Sequence, residues 1–410
     1  MAVVKPFSCV RPDADLASRV AALPYDVYDR AEAKIEVNRE PLSFLAIDRA
    51  ETQFDDSVDM YSPQVYNKAK DLFEARVADK TFITDQDKTY YIYALTMDGR
   101  TQTGLVACAS IDDYLNNVIK KHENTRAEKE VDRIKHVDTL SAQTGPIFLA
   151  YRADEVITGA VNSTKESPCL YDFVSPDGIR HQVWKMTNES MVSDVDKAFE
   201  SIDSIYIADG HHRAASAVKV GLKRREENPG FTGDEEFNFF LAVLFPDEEL
   251  KILPYNRVVK DLNGLSKEAF LSKVEDNFEL SMSDVPVSPD KKGTYGMFLD
   301  NTWYLLKAKG KILSDDAVDG LDVAVLQNSL LEPVLGITDP KTDKRIDFVG
   351  GIRGLKELER RCSLDCVVAF SMYPTSISEL FAVSDNNRLM PPKSTWFEPK
   401  LRSGLFIHRI

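Results

Sequence analysis

The sequence predicts a mixed α/β protein in which short buried strands alternate with amphipathic helices. Apolar runs of strand length, such as 205–208 and 236–245, are bounded by turn residues, and segments with helical spacing of apolar residues accompany them. Two hairpin signals, joined through Asp98-Gly99 and Pro176-Asp177-Gly178, add antiparallel pairs. The expected sheets are therefore mixed.

The chain of 410 residues is long enough for two domains. A change of region falls near 260–265, which predicts one region over 1–260 and an additional α/β region over 261–410. Five cysteines, an odd and thinly spread number, argue against a disulfide framework.

The formal net charge of −15 argues against nonspecific binding to nucleic acid or to anionic membranes, since both need excess lysine and arginine. No apolar run approaches the length of a membrane span, and the N-terminal stretch lacks the apolar segment of a signal peptide. We therefore expect a cytoplasmic protein with neither nucleic-acid nor membrane partners. The oligomeric state does not follow from the sequence.

The first elements in chain order are a strand over 2–10 and helices over 13–23, 31–39 and 63–77. Between the first two helices lies the turn Pro24-Tyr25-Asp26-Val27-Tyr28. Pro24 fixes the backbone and could present Asp26 and Tyr28 together to a ligand. An ordinary turn stabilised by its aspartate is the other interpretation, and both stay open.

The segment 111–140 is polar with helical character, and its middle contains Lys121-His122-Glu123. A second helix starting after this triplet would leave the three side chains in the break before a helix N-terminus. The alternative interpretation is a solvated, charged helix face.

The densest chemistry of the chain follows the apolar strand 205–208, where a helix is expected to begin with Asp209-Gly210-His211-His212-Arg213. Free backbone N–H groups and the helix dipole at such a turn favour an anion. The Asp209 carboxylate suits Mg²⁺, and the histidines and Arg213 can donate to phosphate oxygens. The pattern predicts a phosphate and metal site, and the alternative is a surface turn whose histidines cap the helix.

A further candidate lies near the C-terminus, after expected helices over 269–278, 323–331 and 354–362 and strands over 295–299, 302–307 and 366–372. The rigid pair Pro391-Pro392 leads into Lys393-Ser394-Thr395, which places an ammonium and two hydroxyls in one loop. Such a loop suits phosphate oxygens. A linker with ordinary polar residues is the alternative.

Three of these motifs resemble those of a known family. The segment 209–213 resembles the D-G-H-H-R signature of free serine kinases of the ParB/sulfiredoxin-like fold. Residues 121–123 look like that family's K-P-H-E element, with Lys121 in place of the proline, and 392–395 are similar to its P-K-T-T loop. The whole chain looks most like the long bacterial branch, which is mostly grouped as a domain family of unknown function.

The resemblance implies that 1–260 form a catalytic region with a ParB/sulfiredoxin-like nucleotide-binding core, mixed sheets and an N-terminal extension. It also implies that the C-terminal α/β region over 261–410 contributes a loop to the cleft. It implies a kinase that uses Mg²⁺ to transfer a phosphoryl group from ADP or ATP to the hydroxyl of free L-serine, giving O-phosphoserine. Glu123 would be the base, Asp209 and His211 further catalytic residues, and Asp209 the metal ligand. The residues that would bind nucleotide and phosphate are Gly210, His212, Arg213, Lys393, Ser394 and Thr395.

Two other function classes stay open. A ParB-like nucleotide-binding or nucleotide-hydrolysing regulatory protein would share the fold, but partitioning-type proteins need a basic face and a recognition helix, which this acidic chain does not show. A metal-dependent hydrolase would use Asp209 with His122, His211 and His212, although no H-E-x-x-H spacing exists. P-loop and protein-kinase motifs are also missing.

Overall fold

A computed structural model of the protein describes residues 1–125 and 127–410. The chain divides into two compact units, Met1–Leu250 with Pro399–Ile410, and Lys251–Glu398. Each unit contains sheets and helices, so the mixed α/β class is confirmed. The chain thus passes between units near residues 250 and 398, whereas the sequence placed a single boundary at 260. The assignment of separate roles to 1–260 and 261–410 stays a prediction.

The first unit is built on a nine-stranded mixed sheet. From one edge to the other its strands are Ile119–Lys120, Ile205–Asp209, Ile147–Tyr151, Phe239–Pro246, Arg100–Ser110, Tyr91–Met97, Arg180–Lys185 and Tyr171–Val174, and Val4–Lys5 also pairs with Arg100–Ser110. Both predicted hairpins are confirmed, since Tyr91–Met97 and Tyr171–Val174 pair antiparallel with the strands expected. The strand Ile147–Tyr151 is parallel to its neighbour Phe239–Pro246, and both are almost wholly buried, which explains their continuous apolar sequences.

Helices cover this sheet and bury its apolar side chains. The α-helices of the first unit are Ala17–Val20, Arg30–Arg39, Leu45–Asp48, Pro63–Ala78, Ile111–Leu115, Ala127–Leu140, Glu155–Lys165, Glu189–Glu200 and His211–Glu227, and its 3-10 turns are Ala14–Leu16, Tyr25–Val27, Ala50–Gln53, Glu236–Asn238 and Asp247–Glu249. Val195 and Phe199 from one helix and Ala214 from another share one core cluster with sheet residues such as Leu149. Within the described part of the chain, no helix combines the length and apolarity needed to cross a bilayer.

A second, four-stranded sheet explains why the C-terminal tail belongs to the first unit. Its strands, in order, are Phe82–Thr84, Cys9–Pro12, Ile407–Arg409 and Ala142–Gln143. Phe44, Phe73 and Phe82 pack with Ile407 in a core cluster of their own. The tail is therefore held both by backbone pairing and by apolar burial.

The N-terminal elements are shorter than the sequence predicts. The expected strand over 2–10 is split around Pro6, which has no N–H to donate to a ladder. The expected helix over 13–23 ends at Val20, because Ala22 leaves it to form a β-bridge with Ser403. A contact distant in sequence therefore overrides the local helical pattern.

The second unit has its own six-stranded sheet. The strand order is Phe278–Ser283, Thr302–Ala308, Thr294–Leu299, Val368–Met372, Tyr255–Val259 and Ile346–Gly350, and Ile252–Leu253 pairs separately with Trp396–Phe397. Its helices are Lys267–Asn277, Asp322–Leu326 with the π-helical turn Gln327–Leu331, Gly354–Leu364 and Ile377–Asp385, with 3-10 turns at Gly310–Ile312 and Gly351–Arg353. Val258, Leu358 and Ala369 lie in its core.

Candidate functional site

The predicted strand–turn–helix junction is present in the first unit. The strand Ile205–Asp209 shifts its pairing register just before Asp209, a β-bulge of the kind common beside functional sites. Gly210 follows with φ 94° and ψ 29° and is the N-cap of the helix His211–Glu227. A Cβ at Gly210 would lie 3.1 Å from the Arg213 guanidinium, and this φ favours glycine, so the turn depends on this residue.

The N-terminus of the helix His211–Glu227 is open to an anion. Over residues 1–125 and 127–410, no side chain caps this end, and its first turn contains no acidic residue. Backbone N–H groups of a first helical turn have no partner within the helix, and the helix dipole adds positive potential there. Phosphate groups bind at such ends.

Asp209 lies between two cations. Its Oδ2 is 3.3 Å from Lys400 Nζ and 3.7 Å from Arg213 Nη2. Desolvation raises the pKa of Asp209, but the charges of Lys400 and Arg213 outweigh it and hold the pKa well below the usual range. Arg213 is fixed in turn, because its Nη1 donates to the Pro146 carbonyl at 2.7 Å. The carboxylate is therefore ionised throughout the neutral range.

Two buried histidines meet beside this turn. His122 and His211 are 1% and 5% exposed, and their ring centroids lie 4.5 Å apart with the rings nearly perpendicular. Burial lowers the pKa of His122 to about 4, against the opposing effects of the Asp209 charge and the Ile207 carbonyl. Burial, followed by the His122 charge, lowers the pKa of His211 well below its usual value. Both rings are therefore neutral at pH 7.

Each of these rings has a nitrogen without a hydrogen-bond partner among the described residues. The atoms are His122 Nδ1 and His211 Nε2, and both are buried. Leaving a buried polar atom unsatisfied costs about 1–3 kcal/mol, and native proteins contain few of them. The pair therefore indicates a polar group supplied from outside the chain.

Glu123 joins the same cluster from a distant part of the sequence. Its Oε2 lies 4.0 Å from His211 Nδ1, and its side chain is 37% exposed. The triplet 121–123 follows the strand Ile119–Lys120 and precedes the helix Ala127–Leu140, so its predicted place in the break before a helix is confirmed. The strand Ile119–Lys120 runs parallel to Ile205–Asp209, which brings Glu123 and His211 to the same end of the sheet.

Two other candidate residues of the first unit, His212 and Lys121, make contacts with neighbouring groups of the protein. His212 is half-buried in the first helical turn, and its carbonyl accepts a hydrogen bond from the Ser216 hydroxyl at 2.7 Å. The ammonium of Lys121 lies 4.2 Å from the ring centroid of Tyr114.

Lys393, Ser394 and Thr395 belong to the second unit. Lys393 has φ 59°, and its carbonyl accepts from Arg257 Nη2 at 3.1 Å. The Ser394 hydroxyl is buried and donates to the Pro391 carbonyl at 2.6 Å. Thr395 directly precedes the strand Trp396–Phe397. That these three residues bind phosphate beside Glu123 and Asp209 stays a prediction.

Lys400 is a residue of the site that the sequence analysis missed. It lies 191 positions from Asp209, and the segment Pro399-Lys400-Leu401 has no motif spacing that would mark it. The ion pair follows from the return of the C-terminal tail to the first unit. No local signal could have identified it.

The residues of the site can hold Mg²⁺ only if waters and substrate phosphates supply its other ligands. Among the described residues, no three His, Cys, Asp or Glu side chains are grouped to hold a metal. Proteins usually bind Mg²⁺ through one or two carboxylates together with waters and substrate phosphates. Asp209 can supply one such carboxylate, whereas the multi-ligand centre of the metal-hydrolase interpretation is not formed by these residues.

The low pKa of His122 predicts a stability that depends on pH. In the unfolded chain this group has its ordinary pKa of 6.5, so the unfolded state binds more protons between pH 6.5 and pH 4. The free energy of unfolding should therefore fall on acidification, by about 2 kcal/mol between pH 7 and pH 5 from this group. Urea titrations at the two pH values measure the loss, which His122→Gln should reduce. An equal loss in wild type and variant would contradict this.

Comparison with known proteins places the chain in context. The family described as "Protein of unknown function (DUF1015)" matches residues 4–324. A solved free serine kinase variant in complex with ADP is similar at 11% identity over 74% of this chain and 93% of its own, with a TM-score of 0.34. Staphylococcus aureus SbnI with a C-terminal truncation matches at 12% identity over 74% of this chain and 87% of its own, with a TM-score of 0.38. No curated protein matches significantly.

Proposed function

The chain belongs to this family, DUF1015, and we propose that it is a Mg²⁺-dependent kinase that transfers a phosphoryl group from ADP or ATP to the hydroxyl of free L-serine. The observation that supports the proposal most is the contact between Glu123 and His211, 4.0 Å apart, beside the charged Asp209. The sequence separates these residues widely, and the resemblance of the motifs 121–123 and 209–213 to one family predicts that the two motifs belong to one site.

Phosphoryl transfer needs a base near the acceptor hydroxyl, donors for the phosphate oxygens, and a cation to neutralise them. Glu123 is half-exposed, so its carboxylate can reach a substrate hydroxyl. The open N-terminus of His211–Glu227 and the guanidinium of Arg213 can hold phosphate oxygens. Mg²⁺ bound to Asp209 would neutralise part of the phosphate charge.

In the proposed reaction the serine oxygen attacks the terminal phosphorus of the nucleotide. A new O–P bond forms, the bond from that phosphorus to the bridging oxygen breaks, and Glu123 takes the serine proton. ADP would leave as AMP, or ATP as ADP. His211 Nε2 can donate to a phosphate oxygen when it carries the ring proton. His122 Nδ1 can only accept a hydrogen bond, for example from the substrate hydroxyl, because the other nitrogen of this neutral ring donates to the Ile207 carbonyl.

The test is a direct assay of the purified full-length chain with Mg²⁺, L-serine and either ADP or ATP. We expect O-phosphoserine to accumulate together with AMP or ADP in equal amount, as measured by chromatography or ³¹P NMR. Omission of Mg²⁺ and addition of a chelator are the controls. If no nucleotide phosphorylates L-serine or another hydroxy amino acid under these conditions, the proposal is wrong.

A further inference from the structure

A cavity of about 710 Å³ lies in the first unit, between the 3-10 turn Tyr25–Val27, residues 47–51, the helix Pro63–Ala78 and the helix Ala127–Leu140. Small-molecule sites typically have volumes of about 300–1,000 Å³. Free L-serine, with three carbon atoms, would fill only a small part of this space. The cavity is therefore large enough for a ligand of its own.

The lining of the cavity is rich in tyrosine. Tyr25, Tyr28, Tyr61 and Tyr66 contribute to its walls, together with apolar side chains such as Met60. The turn whose two interpretations the sequence left open supplies two of these tyrosines as well as Asp26 at the exposed rim. Its position on the cavity favours the interpretation in which the turn faces a ligand.

Both buried arginines of the lining are already neutralised. Arg49 pairs with Glu51 at 2.5 Å, and its Nη1 donates to two backbone carbonyls. Arg133 pairs with Asp132 at 2.8 Å and stacks on the Tyr25 ring, 3.9 Å from its centroid. These two ion pairs leave no net charge in this part of the wall.

Asp48 has no such cationic partner in contact. It is buried, and its Oδ1 accepts a hydrogen bond from the neutral Thr144 hydroxyl at 3.0 Å. The nearest ring nitrogen, His136 Nε2, lies 3.8 Å away, and burial and the charge of Arg133 hold the pKa of His136 well below its usual value. At neutral pH the histidine therefore does not offset the carboxylate.

The remaining charged groups near the cavity do not contact Asp48. Lys135 and Asp26 are both exposed at the rim and have opposite charges. Arg213 lines a smaller pocket that adjoins Asp48, but it shares the Asp209 carboxylate with Lys400 and donates to the Pro146 carbonyl. Asp48 is therefore the buried carboxylate of this lining that has no cation in direct contact, although the charge of Arg133 acts on it from farther away. A buried carboxylate without a contacting cation is costly, so Asp48 favours a cationic ligand group in the cavity.

We propose that this cavity is a binding site for an organic amine whose ammonium group pairs with Asp48 and whose apolar or aromatic body packs against the tyrosines. Carboxylate pairing and aromatic faces together are a common means of binding ammonium groups. The proposal does not depend on phosphoryl transfer. The amine is either the hydroxyl-bearing acceptor of the proposed reaction or an effector that does not react, and both would be held by the same contacts.

The binding test uses the full-length chain without nucleotide, in calorimetric titrations with tyramine, L-homoserine and spermidine. We expect at least one of these amines to bind. For tyramine the matched probe is 4-ethylphenol, which has the same ring and chain but no ammonium group, and it should bind at least tenfold more weakly. Failure of all three amines to bind, or equal affinity for tyramine and 4-ethylphenol, would overturn the proposal.

Two variants locate the site. Asp48→Asn removes the charge with little change in shape and should weaken amine binding at least tenfold, whereas the matched rim variant Asp26→Asn should not. If Asp48→Asn does not fold, Tyr61→Ala replaces it, because Tyr61 is 49% exposed and its truncation costs little stability. That variant should weaken binding by about threefold or more. Unchanged affinity in the variant that folds would contradict the proposal.

A final incubation with ADP or ATP and Mg²⁺ distinguishes the two roles of the amine, that of acceptor and that of effector. Phosphorylation of a bound hydroxy amine identifies the acceptor, and binding without phosphorylation identifies an effector; both support the amine site. Because the titrations contain no nucleotide, amine binding without any phosphoryl transfer would count against the proposed kinase alone. Phosphorylation of L-serine without amine binding in the cavity would count against the amine site alone.

Discussion

Replacing Glu123 with glutamine is expected to lower the rate of O-phosphoserine formation by about 10²–10⁴-fold, the usual contribution of a general base. Glutamine keeps the shape and the hydrogen-bonding capacity of the side chain but cannot accept the serine proton. Because the Glu123 side chain is 37% exposed, we expect the fold to be retained. Initial rates at saturating substrate measure the effect on kcat, and nucleotide affinity should change little.

A matched control for this variant is Glu200→Gln, at the exposed end of the helix Glu189–Glu200. It removes the same charge away from the candidate site and should leave kcat unchanged. A Glu123→Gln protein that turns over within a factor of three of wild type would exclude Glu123 as the base.

Replacing Asp209 with asparagine is expected to reduce kcat/KM by about 10³-fold or more, since it removes the proposed Mg²⁺ ligand and leaves Lys400 and Arg213 without their shared carboxylate. The stability cost should be small, about 1 kcal/mol or less, because the side chain is 37% exposed and solvent screens the ion pairs. Urea denaturation and initial rates over a range of Mg²⁺ concentrations measure the two effects. The expected signature is a large kinetic loss with a nearly unchanged unfolding midpoint.

The matched control is Asp203→Asn, on the exposed segment that enters the same strand. It should keep both activity and the response to Mg²⁺. Because the pKa of Asp209 lies well below its usual range, this group stays ionised in moderate acid, and a loss of activity near pH 5 would have to come from another group. Wild-type kcat/KM in Asp209→Asn would contradict the proposed role.

Local patterns were sufficient for most of the elements near the site. The continuous apolar run before Asp209, the glycine at 210 and the amphipathic sequence after it predict a strand, a turn and a helix, and all three are present. The hairpins were predictable for the same reason, since turn residues and alternating strands are encoded within a few positions. The predicted bounds of an element were wrong where contacts distant in sequence intervened, as at Ala22, which pairs with Ser403 instead of continuing a helix.

The sequence by itself determined the mixed α/β class, the family-level resemblance and the candidate residues for the proposed phosphoryl transfer, because each depends on short-range pattern. Only the tertiary structure decided which of them meet. The pairing of Ile119–Lys120 with Ile205–Asp209 brings Glu123 to His211, and the returning tail brings Lys400 to Asp209. It also decided that Asp48 is buried beside a tyrosine-lined cavity. Burial and charge balance are sums over groups far apart in the chain, so no local segment encodes them.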